Sequence, residues 1–380
     1  MRNKIYTRPV VLKDIPDDSH NFKPLPAPTG QYPYRLALAS IREITPAESL
    51  RMSFHMVGDT GSIRHSQFQA VLAAAVCQQS ATEPALSFLY HLGDIVYNHG
   101  EAHAYAPQFL KHYEDYPHPI FAIAGNHDGD INPNSETPYQ SLDAFMDVFC
   151  DTHRRPIGFG NGSRRYSMIQ PNVYWTLETP LARFIGLYAN VTKYGMVTDE
   201  QRNWFVEELL HAEANRAEQA VIVCIHHAPY SADTNHGSSL AMIAFLEDAF
   251  QKTGVRPDAV FSGHVHNYQR FEKSDEDGHR TPYIVAGAGG YADLHAIATL
   301  GDPRVDCLPG SDNIELKAFC DRHFGFLQLT IERVQSQLQL SGTYYCLPEV
   351  FTTPELMQAE VYDRFTIPIR RTEHNTSTLG

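Results

Sequence analysis

The sequence predicts an α/β fold in which layered sheets are covered by helices. From about residue 50 onward, short apolar segments typical of strands alternate with segments whose apolar residues recur at helical spacing. The last part of the chain adds several strands with no long helix between them. Alternation followed by a strand-rich end is typical of sheets with helices packed on their faces. Hydrophobic residues make up 43% of the chain, which is enough for a sizeable core.

The pattern divides the 380 residues into three expected regions. Residues 1–48 are rich in proline and predict an extended arm that lies on the body of the protein. Residues 49–346 are expected to form the main domain, and residues 347–380 a C-terminal tail. The first residues carry positive charge without an apolar segment behind it, so we expect no secretory signal and a cytoplasmic location.

The first half of the main domain predicts three strands and three helices. The first helix is the clearest, because Phe68, Val71 and Ala75 recur at helical spacing. The expected strands are 53–58, 85–92 and 119–124, and the expected helices are 64–78, 104–113 and a short one near 142–150. The rest of the segment 129–171 is polar and predicts irregular loops.

The second half begins with two strands that we expect to pair, at 173–178 and 183–189. Thr198 and Gln201 form a capping box, which predicts the start of a helix that extends to about residue 214. Downstream we expect a strand at 220–226, a helix at 238–251, a strand at 259–262 and further strands near 283–286, 324–331 and 337–340.

The charge of the chain limits its partners. The net charge is −14, from 30 basic and 44 acidic side chains. Nucleic-acid surfaces and anionic-membrane surfaces need clustered lysine and arginine, so the composition argues against both. A phosphate substrate is still compatible, because bound metal cations can reverse the local field. No apolar segment approaches the roughly 20 residues that span a bilayer, so no membrane span is expected.

The six cysteines are scattered along the chain and form no Cys-x-x-Cys pair. This predicts free thiols in a reducing compartment and argues against a thiolate zinc site. A disulfide between Cys307 and Cys320 is the alternative that the sequence leaves open.

Five polar clusters each follow an apolar strand, where the chemistry of α/β proteins usually collects. They are Gly58-Asp59-Thr60-Gly61, Gly93-Asp94-Ile95-Val96-Tyr97, Gly125-Asn126-His127-Asp128, His226-His227-Ala228-Pro229 and Gly263-His264-Val265-His266. Each alone has an ordinary explanation, such as a turn, a cap or a structural histidine. Together they supply the carboxylate, amide, phenol and imidazole ligands that hard or borderline metals bind. His264 and His266 are the sharpest signal, since alternate residues of extended backbone share a face.

This ordered series resembles the metallophosphoesterase superfamily, and within it the compact single-domain purple acid phosphatases. The resemblance covers about residues 52–345. The superfamily usually has Asp-x-His in its first motif, whereas here Gly61 replaces that histidine and Tyr97 follows Asp94 by three positions. Gln269 stands where the family often has glutamate. The resemblance implies a catalytic domain built as a four-layer α/β/β/α sandwich, with two mixed sheets flanked by helices.

The resemblance also implies a pair of metal ions. The first ion would be bound by Asp59, Tyr97, His266 and a bridging Asp94, and the second by Asp94, Asn126, His227 and His264. We expect His227 and not His226 to be the ligand, because the family's histidine precedes the proline by two positions. His226 is then expected to be a neighbouring polar or core residue. By resemblance, Fe(III) occupies the Tyr97 site, and Fe(II), Zn or Mn occupies the second.

The implied activity is the hydrolysis of small phosphomonoesters, as in an acid phosphatase, with a metal-bound hydroxide that attacks phosphorus. His236 is the expected general acid, and His127 is expected to bind phosphate or assist that step. Asp128 is expected to orient its neighbours. Substrate choice should come from the loops 129–171 and 229–240.

Two other functions stay open at this point. The same metals would serve a phosphodiesterase that acts on a nucleotide or a lipid headgroup, and the shape of the pocket separates the two activities. A metal-binding scaffold without catalysis is a third reading. The sequence leaves the oligomeric state open, and relatives with this site are often exported, which conflicts with the cytoplasmic expectation.

Overall fold

The computed structural model describes residues 4–83, 85–275, 278–348 and 358–370. The strands in chain order are β1 (Val10–Leu12), β2 (Arg35–Ala37), β3 (Arg51–Val57), β4 (Leu86–His91), β5 (Ile120–Ala122), β6 (Trp175–Glu178), β7 (Ala182–Leu187), β8 (Ala220–Ile225), β9 (Ala259–Ser262), β10 (Tyr268–Ser274), β11 (Arg280–Ala286), β12 (Val305–Cys307), β13 (Ile314–Cys320), β14 (Phe324–Val334), β15 (Gln337–Leu347) and β16 (Glu360–Pro368). The α-helices are α1 (Ser66–Thr82), α2 (Ala102–Tyr105), α3 (Asn126–Gly129), α4 (Asp143–Phe149), α5 (Asp199–Glu213) and α6 (Leu240–Thr253). Short 3₁₀ helices lie at Ser19–Asn21, Leu38–Ser40 and Pro46–Ser49, and a π-helix at Ala106–Leu110 continues α2.

The strands form two large mixed sheets and one small ribbon. The six-stranded sheet has the order β16-β15-β14-β3-β4-β5, in which β3, β4 and β5 run parallel. The eight-stranded sheet has the order β13-β10-β11-β9-β8-β7-β6-β2, in which β7, β8, β9 and β11 run parallel. The carboxyl ends of parallel neighbours lie at one edge of a sheet, so the loops after them can converge.

The two large sheets contact each other through aromatic side chains. The ring of Phe184 on β7 meets the rings of Phe54 on β3 and Phe88 on β4, at centroid distances of 5.0 and 5.5 Å. Beside them, Tyr90 on β4 stacks on Trp175 of β6 at 6.3 Å. Helix α1 packs on β14 of the six-stranded sheet, and α5 packs on β7 of the eight-stranded sheet. Most of the buried apolar residues belong to one continuous core.

The prediction of two mixed sheets flanked by helices is confirmed. The predicted pair of strands is β6 and β7, which run antiparallel. Thr198 caps the start of α5, where its Oγ1 accepts a hydrogen bond from the Gln201 N–H, but the Gln201 side chain binds the backbone of Tyr188, so only this half of the predicted capping box is present. Strands β10 and β13 were not predicted. Both carry charged residues at several positions, and they become strands because they pair with each other beside β11.

The two end regions contribute strands to the folded body. Within the expected arm, β1 pairs with β12 and β2 joins the edge of the eight-stranded sheet. Within the expected C-terminal tail, β16 pairs with β15 along the edge of the six-stranded sheet. Residues 349–357 and 371–380 of that expected tail lie outside the described residues.

The six cysteines all lie in the described ranges, and all are free thiols, so Cys307 and Cys320 do not form a disulfide. Within the same ranges, every helix is too short or too polar to cross a bilayer.

Candidate metal centre

The candidate ligands meet where loops from the two large sheets converge. Asp59 and Asp94 follow β3 and β4 of the six-stranded sheet, while His264 follows β9 of the eight-stranded sheet. Glycines make the approach possible, because a Cβ atom on Gly125 would lie 2.1 Å from Asp94 Oδ1. A Cβ atom on Gly263 would lie 2.6 Å from Asp59 Oδ2. A larger residue at either position would displace the carboxylate that it meets.

The first group of side chains surrounds the hydroxyl of Tyr97. Its oxygen lies 2.9 Å from Asp94 Oδ2, 3.2 Å from Asp59 Oδ1 and 3.2 Å from His266 Nε2. All four residues are buried. The structure therefore brings together, within hydrogen-bond distance of one atom, the four residues that the family resemblance implies for the first metal ion.

Three of these loops have strained backbone at the residue that faces the centre. Asp59, Asp94 and His264 have φ angles of 58°, 54° and 66°, in the left-handed region that non-glycine residues avoid. Each costs on the order of 1 kcal/mol or more, and such residues cluster at functional sites. The Asp59 carboxylate stabilises the left-handed conformation of His264, because it accepts a hydrogen bond from the His264 backbone N–H at 2.9 Å.

A second group lies around His264. Its Nδ1 is 3.0 Å from Asn126 Oδ1, and its ring lies 4.2 Å from the ring of His227. His264 Nε2 and His227 Nδ1 are buried, and neither has a hydrogen-bond partner among the described residues. Buried polar atoms are normally paired, so these nitrogens are available to a ligand such as a metal ion.

Backbone carbonyl groups fix the tautomers of three histidines. The contacts are His226 Nδ1 to Leu92 O at 2.7 Å, His227 Nε2 to Thr192 O at 2.8 Å and His266 Nδ1 to Asp293 O at 3.0 Å. A carbonyl oxygen can only accept a hydrogen bond, so each of these nitrogens carries its proton. Burial lowers the pKa of His227 and His266, so the other nitrogen of each of these neutral rings presents a lone pair, as metal-binding histidines require. The other nitrogen of His226 faces two carboxylates.

His226 is fully buried beside the candidate ligands, a position compatible with the expected neighbouring polar or core residue. Its Nε2 lies 3.3 Å from Asp94 Oδ2 and 4.0 Å from Asp59 Oδ1, so it faces both carboxylates. Asp94, His226 and His264 form a group whose ligand atoms all lie within 4.8 Å of one another and could hold a metal ion. The two adjacent histidines in the sequence could have indicated that both lie near the metal centre, but the spacing to Pro229 favoured only His227 as a ligand.

The electrostatics of the centre favour bound cations. Burial raises the pKa of Asp59 well above its usual range, although His226 opposes the shift, and the carboxylate of Asp94 raises it further. Burial and the same two carboxylates raise the pKa of Tyr97. Burial alone would lower the pKa of His226, but Asp94 and Asp59 raise it to about 9. Two buried carboxylates beside a phenol and free imidazole nitrogens are a donor set that fits metal ions.

The two predicted catalytic histidines border the centre on different sides. The half-buried ring of His127 lies 4.3 Å from the ring of Tyr97, and its Nδ1 is 2.6 Å from the carbonyl oxygen of Asn98. The ring of His236 lies 4.2 Å from that of His264, and burial lowers its pKa to about 4. His236 Nδ1 is buried without a hydrogen-bond partner in the described part of the chain.

Asp128 has the contacts expected of an orienting residue. Its Oδ1 accepts hydrogen bonds from the backbone N–H groups of Ile95 and Val96 at 2.9 and 3.2 Å. Its Oδ2 accepts one from the N–H of Gly125 at 2.8 Å. The carboxylate thus ties the loop that carries Asn126 to the loop that carries Asp94.

Two further residues at the centre were not predicted. His295 lies 4.3 Å from His266 between ring centroids, and its Nδ1 is 3.2 Å from the buried carboxylate of Asp233. Tyr291 covers Tyr97 at 4.2 Å between ring centroids. Both belong to the loop after β11, which contains no recognisable motif, so only the folded structure brings them here.

Comparisons with known proteins agree with this geometry. A family model described as calcineurin-like phosphoesterase matches residues 52–268, a range that contains all of the candidate ligands. Purple acid phosphatase 1 of Ipomoea batatas is 30% identical over 159 residues, which cover 41% of this chain and 29% of that protein. The matched part therefore corresponds to less than a third of the relative's length.

Two solved structures share the fold. One is titled GAP50, the anchor in the inner membrane complex of Plasmodium, with a TM-score of 0.56 at 15% identity over 85% of this chain and 90% of that chain. The other is PhoD, with a TM-score of 0.53 at 13% identity over 91% of this chain and 72% of that chain. At these identities the likeness concerns the fold alone.

Proposed function

The chain belongs to the calcineurin-like phosphoesterase family, and from this premise we propose that it hydrolyses phosphomonoesters at a pair of metal ions. The observation that carries the proposal is the position of Asp94. This buried carboxylate contacts Tyr97 of the first group and, with His226 and His264, completes the group that could hold an ion. A shared carboxylate between two sets of ligands suits two neighbouring cations.

The residues that would hold the metals follow from these two groups. The first ion would be held by Asp59, Asp94, Tyr97 and His266, and the second by Asp94, Asn126, His264 and an imidazole of the His226–His227 pair. A phenolate ligand favours a hard trivalent ion, so we assign Fe(III) to the first position and Fe(II), Zn or Mn to the second.

When bound, two such ions activate water and neutralise the charge that develops on the phosphoryl oxygens. The chain's own residues do the rest. His127 has its Nδ1–H committed to the Asn98 carbonyl, so in the protonated ring the Nε2–H would donate a hydrogen bond to a phosphate oxygen. His236 is held by Asp233, whose carboxylate accepts the His236 backbone N–H at 3.1 Å. Its Nδ1 has no hydrogen-bond partner among the described residues, and in the protonated ring, which a pKa of about 4 restricts to acidic pH, it would give a proton to the leaving alkoxide.

The test is phosphate release from a panel of monoesters and diesters by the metal-loaded wild type and by Asp94→Asn. We expect turnover of monoesters by the wild type and a loss of at least about 100-fold in the variant. Turnover of diesters alone would replace the proposal with a phosphodiesterase that acts on a nucleotide or lipid headgroup. No turnover by fully metallated wild type, at acid and neutral pH, would favour a non-catalytic scaffold.

A further inference from the structure

The backbone of Tyr97 is held from both sides by one side chain. The Tyr97 N–H donates to Gln108 Oε1 at 2.9 Å, and Gln108 Nε2 donates to the Tyr97 carbonyl oxygen at 2.6 Å. Gln108 is buried, so these two hydrogen bonds form away from water. A primary amide carries an acceptor and a donor side by side, so it can satisfy the backbone N–H and C=O of one residue together.

Local structure explains why Gln108 reaches this position. It lies in the π-helix Ala106–Leu110, which continues directly from α2. A π-turn contains an extra residue and turns a side chain out of the regular helical register, and such turns are frequent at functional sites. The extra residue lets the amide of Gln108 approach the loop that follows β4.

Gly61 leaves the space that this arrangement uses. A Cβ atom on Gly61 would lie 2.7 Å from the Ile95 carbonyl oxygen and from Val96 Cα, and 2.9 Å from Gln108 Oε1. Real Cβ atoms essentially never approach that closely, so no side chain fits at position 61 without movement of this loop. The glycine, the glutamine amide and the tyrosine backbone therefore form one packed unit.

We propose that Gln108 is a positioning residue that directs the phenol of Tyr97 at the metal centre. This inference rests on the proposed function, because it assumes that Tyr97 binds an ion. Gln108 fixes both polar groups of the Tyr97 backbone. Because the tyrosine side chain has few torsions, a fixed backbone also holds the phenol oxygen, which lies 2.9 Å from Asp94 Oδ2. Both polar ends of the amide are committed to the Tyr97 backbone.

Two other buried glutamines make the same pair of hydrogen bonds elsewhere. Gln170 binds the backbone N–H and C=O of Ala122 at 2.8 and 2.9 Å. Gln201 binds those of Tyr188 at 2.9 Å each. Neither Ala122 nor Tyr188 supplies a candidate ligand, so Gln201 offers a matched control for the general stability that such a pair of bonds provides.

The experiment compares Gln108→Glu with Gln201→Glu in the full chain. Glutamate keeps the shape and the acceptor for the N–H but loses the donor, and it places an oxygen against a carbonyl oxygen. The readouts are the visible phenolate-to-Fe(III) charge-transfer absorption after iron loading, the iron retained on dialysis and the thermal unfolding temperature. Gln108→Met, which removes both hydrogen bonds at similar length, replaces Gln108→Glu if that variant does not fold.

We expect the Gln108 variant to lose or shift the absorption and to retain iron about tenfold more weakly, as the loss of one buried hydrogen bond implies. Gln201→Glu should lower the unfolding temperature but keep the absorption of the wild type. An unchanged absorption and iron affinity in both Gln108 variants would overturn the inference while the proposed function stands. A wild type that binds iron and releases phosphate without this absorption would overturn the assignment of Tyr97 as ligand, and the inference with it.

Discussion

His226 and His227 differ in what their free ring nitrogens face. With Nδ1 committed to the Leu92 carbonyl, His226 presents Nε2 to the carboxylates of Asp94 and Asp59. With Nε2 committed to the Thr192 carbonyl, His227 presents Nδ1 beside the ring of His264. Only His226 belongs to the group whose ligand atoms lie within 4.8 Å of one another. Of the two histidines, His226 is therefore the one that these distances group with Asp94 and His264.

Single substitutions distinguish the two histidines. We expect His226→Asn to lower the metal content by about one equivalent and metal affinity by about 10–100-fold, because it removes an imidazole nitrogen that lies 3.3 Å from Asp94 Oδ2. His227→Asn should have the smaller effect on both quantities. Metal analysis after dialysis measures the difference, and the reverse order of the two variants would show that spacing to the proline identifies the ligand better than the distances do.

Gly61→Ala tests how tightly the residues under the metal centre are packed. Its new Cβ atom would lie 2.7 Å from backbone atoms of Ile95 and Val96, which cannot move as a flexible side chain would. We expect the free energy of unfolding to fall by about 1–3 kcal/mol, as overpacking usually costs. Gly158→Ala is the control, since a Cβ atom there meets nothing within 4 Å. Equal stability of the two variants in denaturant unfolding would contradict the prediction.

At the scale of elements, a short 3₁₀ helix before β3 depends on one buried carboxylate. Glu48 accepts hydrogen bonds from the Thr45 N–H at 2.9 Å and from the Ser87 hydroxyl at 2.6 Å, and it pairs with Arg42. Burial alone would raise the pKa of Glu48, but the hydrogen bonds from Arg42, Ser87 and Thr45 lower it to about 2. The ionised form is therefore the one that stabilises the folded protein.

The sign of the pH dependence follows from that lowered pKa. The stabilisation from Glu48 is fully present above the ordinary glutamate pKa of 4.5 and is lost as the pH falls from there towards about 2. We expect Glu48→Gln to be less stable than the wild type by about 1–3 kcal/mol at pH 7, with a smaller difference at pH 3.5. Denaturant unfolding at the two pH values measures this, and a difference that grows on acidification would contradict it.

The elements also show what the sequence could and could not predict. Strands β3, β4, β8 and β9 were predicted because each is a short apolar run followed at once by a polar motif. Strands β10 and β13 were not predicted, because charged residues interrupt their apolar residues. They are strands because β10 pairs with β11 and β13 pairs with β10. The candidate ligands share a strand-end position that is visible in the sequence, whereas His295 and Gln108 act through contacts between distant segments.

At the scale of the whole molecule, the metal centre costs stability when no ion is bound. Burial and the nearby Asp94 carboxylate raise the pKa of Asp59 well above its usual range, which means that the folded protein disfavours its charged form. Three left-handed residues add strain in the same place. Many proteins lose stability at their functional sites in this way, and bound ligands restore it.

Asp59→Asn separates these contributions. An amide keeps an acceptor for the backbone N–H of His264 but removes one buried charge. We expect the metal-free variant to be as stable as the metal-free wild type, or more stable by up to about 2 kcal/mol in the free energy of unfolding. Its unfolding temperature should therefore be equal or higher. Added metal should raise the unfolding temperature of the wild type only. A metal-free variant that unfolds at a clearly lower temperature would show that Asp59 stabilises the fold independently of any ion.

The central claim is that two ions around Asp94 form one catalytic centre. The most direct measurement is the rate of phosphate release from a monoester as metal is added back to metal-free protein, for the wild type and for Asp94→Asn. We predict that the wild-type rate rises until two equivalents are bound, and that the variant stays inactive at every metal level. Full activity at one equivalent, or activity in the variant close to that of the wild type, would contradict the account.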